Sequence, residues 1–489
     1  MFSHSALVYA NTDNNLSKAL TRLSSAREGN AALDKTLREN QRRFLQTRAA
    51  TRFATALRNH YSAALDSATY DFDYELFKYA HEPHPKRNLR IRAMQEIVMY
   101  GLLGHHTFIS KSVAKLKKYE WAKPGKYPRL IVDLTVVGSL LGGFSAKIVK
   151  QCMSTFTYSS KYRSQFIGSP QPNLLREVFT QLEYPEGASY FCYFSDDSCF
   201  SVKCKDGIYR CNMDISSCDT SHTERLFEYI LCTLPQHTLL YSYTRRMFSQ
   251  LTKPLKFSSV DGRERRTFKI NFPTLLSGST ATTFVNNYAN ALISLRLSKV
   301  DFTKLTRDQC AAKIIECAKD VGYIVTCEDA TDKCHLQFLK YSPDIDNSPY
   351  INIGVLLRAM GNCVGDLPGR TKTGFSKRAD QFTREVLAGF RYSGRSPIHE
   401  ALTEKYGQSG DDTARFTNQT VLENFHHKYV HRVSIEAITR RYNTTPNEIY
   451  ETIDAIRTAP RRCVIRTAFT DAVYLKDYGY PPPTVHTLY

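Results

Sequence analysis

Two segments of this sequence carry residue types whose spacing could do chemistry. The first is Tyr190-Phe-Cys-Tyr-Phe-Ser-Asp196-Asp197-Ser-Cys-Phe-Ser-Val202, two adjacent aspartates between β-prone runs. A third aspartate closes the run Tyr209-Arg-Cys-Asn-Met-Asp214, and Asp219 follows it. Carboxylates held together repel and raise each other's pKa, and a divalent cation removes that penalty. Two Mg²⁺ ions roughly 3.5–4 Å apart can hold the attacking hydroxyl and the leaving oxygen of an in-line phosphoryl transfer. Mg²⁺ prefers a few carboxylates plus substrate phosphates to a closed protein cage. Aspartate is common in turns for local reasons, so the carboxylates gain weight from the second segment. That segment, Ser277-Gly278-Ser-Thr-Ala-Thr282-Thr-Phe-Val-Asn286, has the spacing Ser-Gly-x-x-x-Thr-x-x-x-Asn. On a helix Gly278, Thr282 and Asn286 step by four and share a face. Glycine lets another backbone or a ligand approach closely. Serine and threonine are mediocre helix formers, so local propensity is overridden here, as happens at functional sites.

Positioning these groups requires particular elements. Residues 188 to 215 read as three short strands separated by two acidic turns, Ser195-Asp196 and Lys205-Asp206-Gly207. Two short turns in succession make a meander, which lays Asp214 on the strand beside the Asp196 hairpin. A helix is expected to start after Gly278 and run to about Leu297, and another over 306–320 with Thr306 as its cap. Tyr323–Cys327 and Leu336–Leu339 read as strands, and Asp261-Gly262 marks a hairpin. Residues 14–66, 222–250 and most of the last part of the chain read as helical. Strands clustered in the middle with helices around them make the fold class α+β.

Composition limits the function. The chain has 489 residues, enough for two to four subdomains. Its 66 lysines and arginines against 47 acidic residues give a net charge of +19. A basic excess of that size suits a polyanionic partner, because neutralising phosphates releases counterions. No stretch approaches the roughly 20 apolar residues of a membrane helix, so no transmembrane segment is expected. The 13 cysteines are scattered without Cys-x-x-Cys spacing. Neither a zinc site nor a disulfide framework is implied, and reduced thiols in a cytosolic compartment fit best.

Taken together, these residues resemble the motifs of viral RNA-dependent RNA polymerases. Ser277 to Asn286 resembles motif B, Asp214 with Asp219 motif A, and Phe194-Ser-Asp-Asp197 motif C. Lys123-Pro-Gly-Lys126-Tyr-Pro-Arg129 is similar to the basic strand, motif F, that covers the incoming triphosphate. Gly322–Thr326 with Asp332-Lys333 resembles motif D, and Gln337-Phe-Leu-Lys340 resembles motif E, the grip on the primer strand. Most members of the family read A, B, C; this chain reads C, A, B, a permutation it shares with birnaviruses and permutotetraviruses.

The resemblance implies a right-hand fold of fingers, palm and thumb, with an antiparallel palm sheet of permuted connectivity. On that reading residues 1–110 link fingers and thumb, and 111–187 are fingers with motif F. Residues 188–219 are palm, 220–275 a fingers insertion, 276–345 palm again, and 346–489 a helical thumb and tail. It implies two Mg²⁺ or Mn²⁺ ions on Asp196, Asp197 and Asp214. Lys123, Lys126 and Arg129 would then meet the triphosphate, Asp219, Ser277, Gly278, Thr282 and Asn286 the nucleotide, and Lys340 the RNA. Lys333 would protonate pyrophosphate. The implied partners are an RNA template, a primer or nascent strand, ribonucleoside triphosphates and other viral replication proteins, in the host cytoplasm.

Rival readings exist. Gly410-Asp411-Asp412 spells the commoner motif C, but its flanks lack strand alternation and it follows the segments similar to motifs D and E. A reverse transcriptase shares the aromatic-x-Asp-Asp turn, yet usually places a bulky aromatic where this chain has Asp219. A non-catalytic RNA-binding protein of nucleoprotein type accounts for the charge, but not for three aspartates beside a Ser-Gly helix.

Overall fold

The computed structural model describes residues 12–65, 70–84, 86–100, 113–116, 125–133, 136–153, 156–159, 161–249, 251, 255–258, 265–269, 274–275, 281–361, 375–407, 429–460 and 463–479. Its strands, in chain order, are β1 (Val113–Leu116), β2 (Leu130–Asp133), β3 (Phe156–Ser159), β4 (Tyr162–Phe166), β5 (Ser189–Phe194) and β6 (Asp197–Cys204). There follow β7 (Gly207–Ile215), β8 (Leu255–Ser258), β9 (Arg265–Phe268), β10 (Val325–Asp329), β11 (Tyr341–Pro343) and β12 (Pro349–Ile351). The chain is α+β, with helices surrounding a six-stranded sheet of order β10-β7-β6-β5-β4-β3.

The three strands expected over 188–215 are β5, β6 and β7, joined by two-residue turns and antiparallel throughout. The sheet as a whole is mixed, which corrects the expectation of an antiparallel one: β4 and β5 run parallel. The helix Pro172–Glu183 lies between them in the chain. A crossover of that kind is what joins parallel neighbours, since a tight turn cannot.

This sheet divides two hydrophobic cores, which is why β5 reads as a nearly continuous apolar run rather than as an alternation. Phe191, Tyr193, Phe200, Val202 and Met213 enter one core. The helix Ala281–Leu297 joins it, burying Phe284, Val285, Tyr288 and Leu292. Tyr190, Cys192 and Cys199 point the other way, into a core shared with the helices Pro397–Tyr406, Ile435–Tyr442, Pro446–Thr458 and Ala468–Tyr478. A smaller four-stranded sheet, β2-β1-β8-β9, packs against the helix Asp13–Ser24 through Leu16, Ala19, Leu130, Val132 and Phe257. The tip of the hairpin expected at Asp261-Gly262 lies outside the described residues, but β8 and β9 on either side of it pair antiparallel.

The helix Arg307–Asp320 begins as expected, with Thr306 and Gln309 forming a capping box. Residues 336–339 correct another expectation, for they form no strand. The Asn212 side chain takes backbone groups at the start of this segment, donating to the preceding His335 carbonyl (2.8 Å) and accepting from Gln337 N–H (2.9 Å). The chain then reverses at Leu339-Lys340. The described cysteines are free thiols. No helix among the described residues is long and apolar enough to cross a membrane.

Candidate functional site

The β5–β6 hairpin turns through Ser195 and Asp196, with Phe194 paired to Asp197 across it. Asp197 is in turn the register partner of Asp214 on β7. Residues directly opposite in a sheet point to the same face, so these two carboxylates share a side, with Asp196 at the adjoining tip. Asp196 and Asp214 are exposed and Asp197 is half-buried. Burial pushes the Asp197 carboxyl up from 3.8 to about 7, and the charges of Asp196 and Asp214 push the same way. The Leu339 N–H bond to its Oδ2 (2.7 Å) and the nearby Lys340 ammonium act against them. The structure thus brings Asp196, Asp197 and Asp214 together.

Strained backbone surrounds these aspartates. Ser195 has φ 57° and Ser217 φ 49°, and the consecutive Leu339 and Lys340 have φ 52° and 66°. A two-residue turn with both φ positive normally recruits Asn-Gly. Here Phe338 and Tyr341 close it with reciprocal 2.9 Å bonds, which aims the Leu339 N–H at Asp197. Non-glycine residues held in the left-handed region cost of order 1–3 kcal/mol each and persist where the surroundings over-determine them.

For the Ser195 turn, the helix Ala281–Leu297 supplies that determination. Asn287 Oδ1 accepts from the Ser195 N–H, and Asn290 Nδ2 donates to the Ser195 carbonyl at 2.6 Å. One residue earlier, Asn286 Nδ2 donates to Asp219 Oδ1 at 2.9 Å. Three buried asparagines of one helix therefore hold both the aspartate hairpin and Asp219. The sequence pattern singled out Asn286 and missed Asn287 and Asn290. Their signal was a cluster of asparagines in a helix buried on nearly every side, where an amide has to find a partner.

A cavity of about 290 Å³ opens beside this constellation, lined among others by Arg22, Arg129, Asp196, Ser217 and Asp219. Burial raises the Asp219 carboxyl; the Asn286 amide pulls it back, Asp196 raises it further, and Arg129 and Arg22 lower it. Arg22 comes from the helix Asp13–Ser24 and donates to the Tyr127 carbonyl at 2.8 Å. It too was missed, since an arginine on an amphipathic helix usually marks a solvated face.

The other expected residues divide. Arg129 lines the cavity, and Lys126 is exposed on the same segment, just before β2. Thr282 lies half-buried at the start of the asparagine helix. Lys340 sits beside Asp197, its ammonium disfavoured by burial and by Arg358. Lys333 is placed elsewhere. Its ammonium donates to Glu183 (2.6 Å), to the Ile345 carbonyl (2.6 Å) and to Asn347 (3.1 Å). Ser277, Gly278, Lys123 and the Gly410-Asp411-Asp412 segment lie outside the described residues.

The structure also gathers Asp344, Asp346 and His431, one ligand atom from each lying within 4.8 Å of the others, a group that could hold a metal ion. Asp344 is buried, Asp346 exposed and His431 half-buried. His431 Nε2 lies 2.8 Å from Asp344 Oδ2, and Ser434 donates to both oxygens of the same carboxylate. This group is not the Asp196, Asp197 and Asp214 set that the sequence pointed to. Its sequence signal was Asp344-Ile-Asp346, and nothing nearby in the chain pointed to His431. No protein-family model matches the chain, and no curated protein matches it in sequence.

Proposed function

We propose that this protein is a template-directed RNA polymerase that transfers nucleotides from ribonucleoside triphosphates to the 3′ end of an RNA strand. The observation that carries the proposal is the register of the meander. It sets Asp197 opposite Asp214 with Asp196 in the β5–β6 turn just before Asp197, next to a cavity that also holds Asp219 and Arg129. An all-oxygen donor set in which a half-buried carboxyl is raised to about 7 by its surroundings suits hard divalent cations. Asp196, Asp197 and Asp214 would hold two Mg²⁺ or Mn²⁺ ions, which when bound acidify the primer hydroxyl and neutralise phosphate charge.

The remaining work falls to the protein's own groups. Arg129, with Arg22 lining the same cavity, would pair with triphosphate oxygens, and arginine suits bidentate contact. Lys126 adds positive charge on the same segment. Asp219 and Asn286 would bond the ribose and its 2′-hydroxyl, the group that separates RNA from DNA precursors. Lys340, beside Asp197, would meet the backbone of the growing strand. The charge of +19 suits a nucleic-acid channel with strong salt dependence.

The test is primer extension on a short RNA primer–template by wild type, Asp196→Asn and Asp412→Asn. Extension by wild type and Asp412→Asn, with none by Asp196→Asn, is expected. Loss in Asp412→Asn alone would move the metal site to the segment 410–412 and refute this assignment. Tight RNA binding without extension under any metal would favour a binding protein.

A further inference from the structure

Behind Asp219 lies a chain of buried polar groups, of which the proposed chemistry uses only the first, Asn286. Asn286 Nδ2 donates to Asp219 at 2.9 Å. An ionised carboxylate only accepts, so this bond fixes which end of the amide faces Asp219. Asn286 Oδ1 must then face inward, where it meets His222 Nε2 at 2.8 Å and the Cys218 thiol at 3.2 Å. An acceptor opposite Nε2 requires that nitrogen to carry the proton. His222 Nδ1 is therefore bare, and the Tyr323 hydroxyl, 2.9 Å away, donates to it. The donors run in one direction, from Tyr323 through His222 and Asn286 to Asp219.

This chain is built rather than incidental. Tyr323 and Asn286 are 0% and 1% exposed and His222 is 3% exposed. Burial pushes the imidazole pKa down to about 4, with Arg27 and Arg38 acting in the same direction, so the ring is neutral at physiological pH. Gln41 from the helix Ala31–Leu45 accepts from the Thr223 N–H at 2.8 Å and donates to the Val321 carbonyl, which braces the backbone beside His222 and Tyr323. Gly322 permits this approach, for at its φ of +92° an added Cβ would lie 2.6 Å from the Leu37 carbonyl oxygen.

We propose that His222 and Tyr323 are positioning residues for sugar selection, which lock the Asn286 amide and through it Asp219 in the orientation that reads a ribose 2′-hydroxyl. The proposal rests on the polymerase reading above. Without the Tyr323 hydroxyl the ring can take the other tautomer. Bare Nε2 would then face Asn286 Oδ1, and the amide would turn over to satisfy it, presenting oxygen to Asp219. A misdirected buried hydrogen bond of this kind costs enough for about a ten-fold effect.

The experiment measures kcat/KM for one ribonucleotide and for its 2′-deoxy counterpart. The proteins are wild type, His222→Phe, His222→Gln and Tyr323→Phe, each as the full chain on the same primer–template. The ribo-to-deoxy ratio is expected to fall about ten-fold in His222→Phe and Tyr323→Phe. The fall should come from the ribonucleotide alone, mainly through KM, and His222→Gln, which restores a donor, should recover part of it. A purely structural role would lower both substrates together, and an unchanged ratio in Tyr323→Phe overturns the proposal even if His222→Phe fails to fold. Wild type that extends with neither sugar removes the polymerase reading itself, and the inference with it.

Discussion

The Asp197 carboxyl offers a test of the site that needs no substrate. Its pKa is raised from 3.8 to about 7 in the folded chain, first by burial and then by Asp196 and Asp214. A group whose folded pKa lies above its unfolded one stabilises the protein while protonated, and that contribution is lost as pH rises from the unfolded towards the folded value. The difference of roughly 3 units corresponds to about 4 kcal/mol in all, of which about 2–3 kcal/mol is lost between pH 5 and pH 8. For a chain of 489 residues that is a fall in melting temperature of roughly 2–3 °C.

Two buried histidines act with the opposite sign. His222 and His399 are both pushed down to about 4 by burial, so stability rises with pH up to the ordinary histidine value of 6.5. The measurement must therefore be a difference. Thermal unfolding of wild type and Asp197→Asn is followed from pH 5 to pH 8 in chelator, where the histidine contributions cancel. Asparagine keeps an acceptor for the Leu339 N–H, so the variant removes the charge and little else. Wild type should lose about 2–3 kcal/mol relative to the variant across that range. Mg²⁺ added at pH 8 should restore about 2.7 kcal/mol to wild type at a hundred-fold excess over its dissociation constant, and less to Asp197→Asn. Parallel pH curves for the two proteins would refute the electrostatic account of the hairpin.

Other predictions follow from single contacts. Asn287→Ala should slow primer extension at least ten-fold with little change in nucleotide KM, because it releases the Ser195 N–H from the helix and lets the hairpin relax; single-turnover kinetics reads this directly. Lys333→Ala should leave the extension rate within about three-fold of wild type but cost roughly 1–3 kcal/mol of stability in urea unfolding, since its ammonium is held by Glu183, Ile345 and Asn347. Asp477→Ala should cost about 3–5 kcal/mol, because it leaves the guanidinium of Arg441 buried without its carboxylate at 2.9 Å. Asp344, held at about 2 largely by His431 and Ser434 against its burial, contributes stability that is present above 3.8 and lost as pH falls towards 2. Asp344→Asn should remove about 2 kcal/mol of that at pH 7, measured by chemical unfolding.

The parts of the fold that were legible in the sequence are those set by local rules. The meander announced itself through apolar runs broken by acidic turns, and the helix 307–320 through its cap Thr306. The strand expected over Leu336–Leu339 failed because the apolar run there is real but its backbone is claimed by a side chain distant in sequence, Asn212. The parallel β4–β5 pair was likewise invisible, since strand direction is decided by the crossover and not by the strands. At the site, the spacing of Asp196, Asp197, Asp214 and Asn286 was readable because three sit on periodic elements and Asp196 in the tight turn between two of them. Arg22 and His222 were not, because they come from elements whose own patterns are ordinary and reach the cavity wall or the Asn286 amide behind it only through tertiary contact.

The distribution of strain argues that the carboxylates are held apart from their easiest arrangement. Left free, a Ser-Asp turn would relax out of the left-handed region at Ser195, and Leu339-Lys340 would abandon a turn suited to Asn-Gly. Both persist because buried groups oppose the relaxation: Asn287 and Asn290 at the first turn, and the reciprocal Phe338–Tyr341 bonds at the second. The two turns meet at Asp197, one fixing its backbone and the other donating to its carboxylate. A scaffold that needed only stability would place glycine or asparagine at these positions. Spending several kcal/mol to fix a carboxylate among like charges is what the proposed cation-binding role of Asp197 would require.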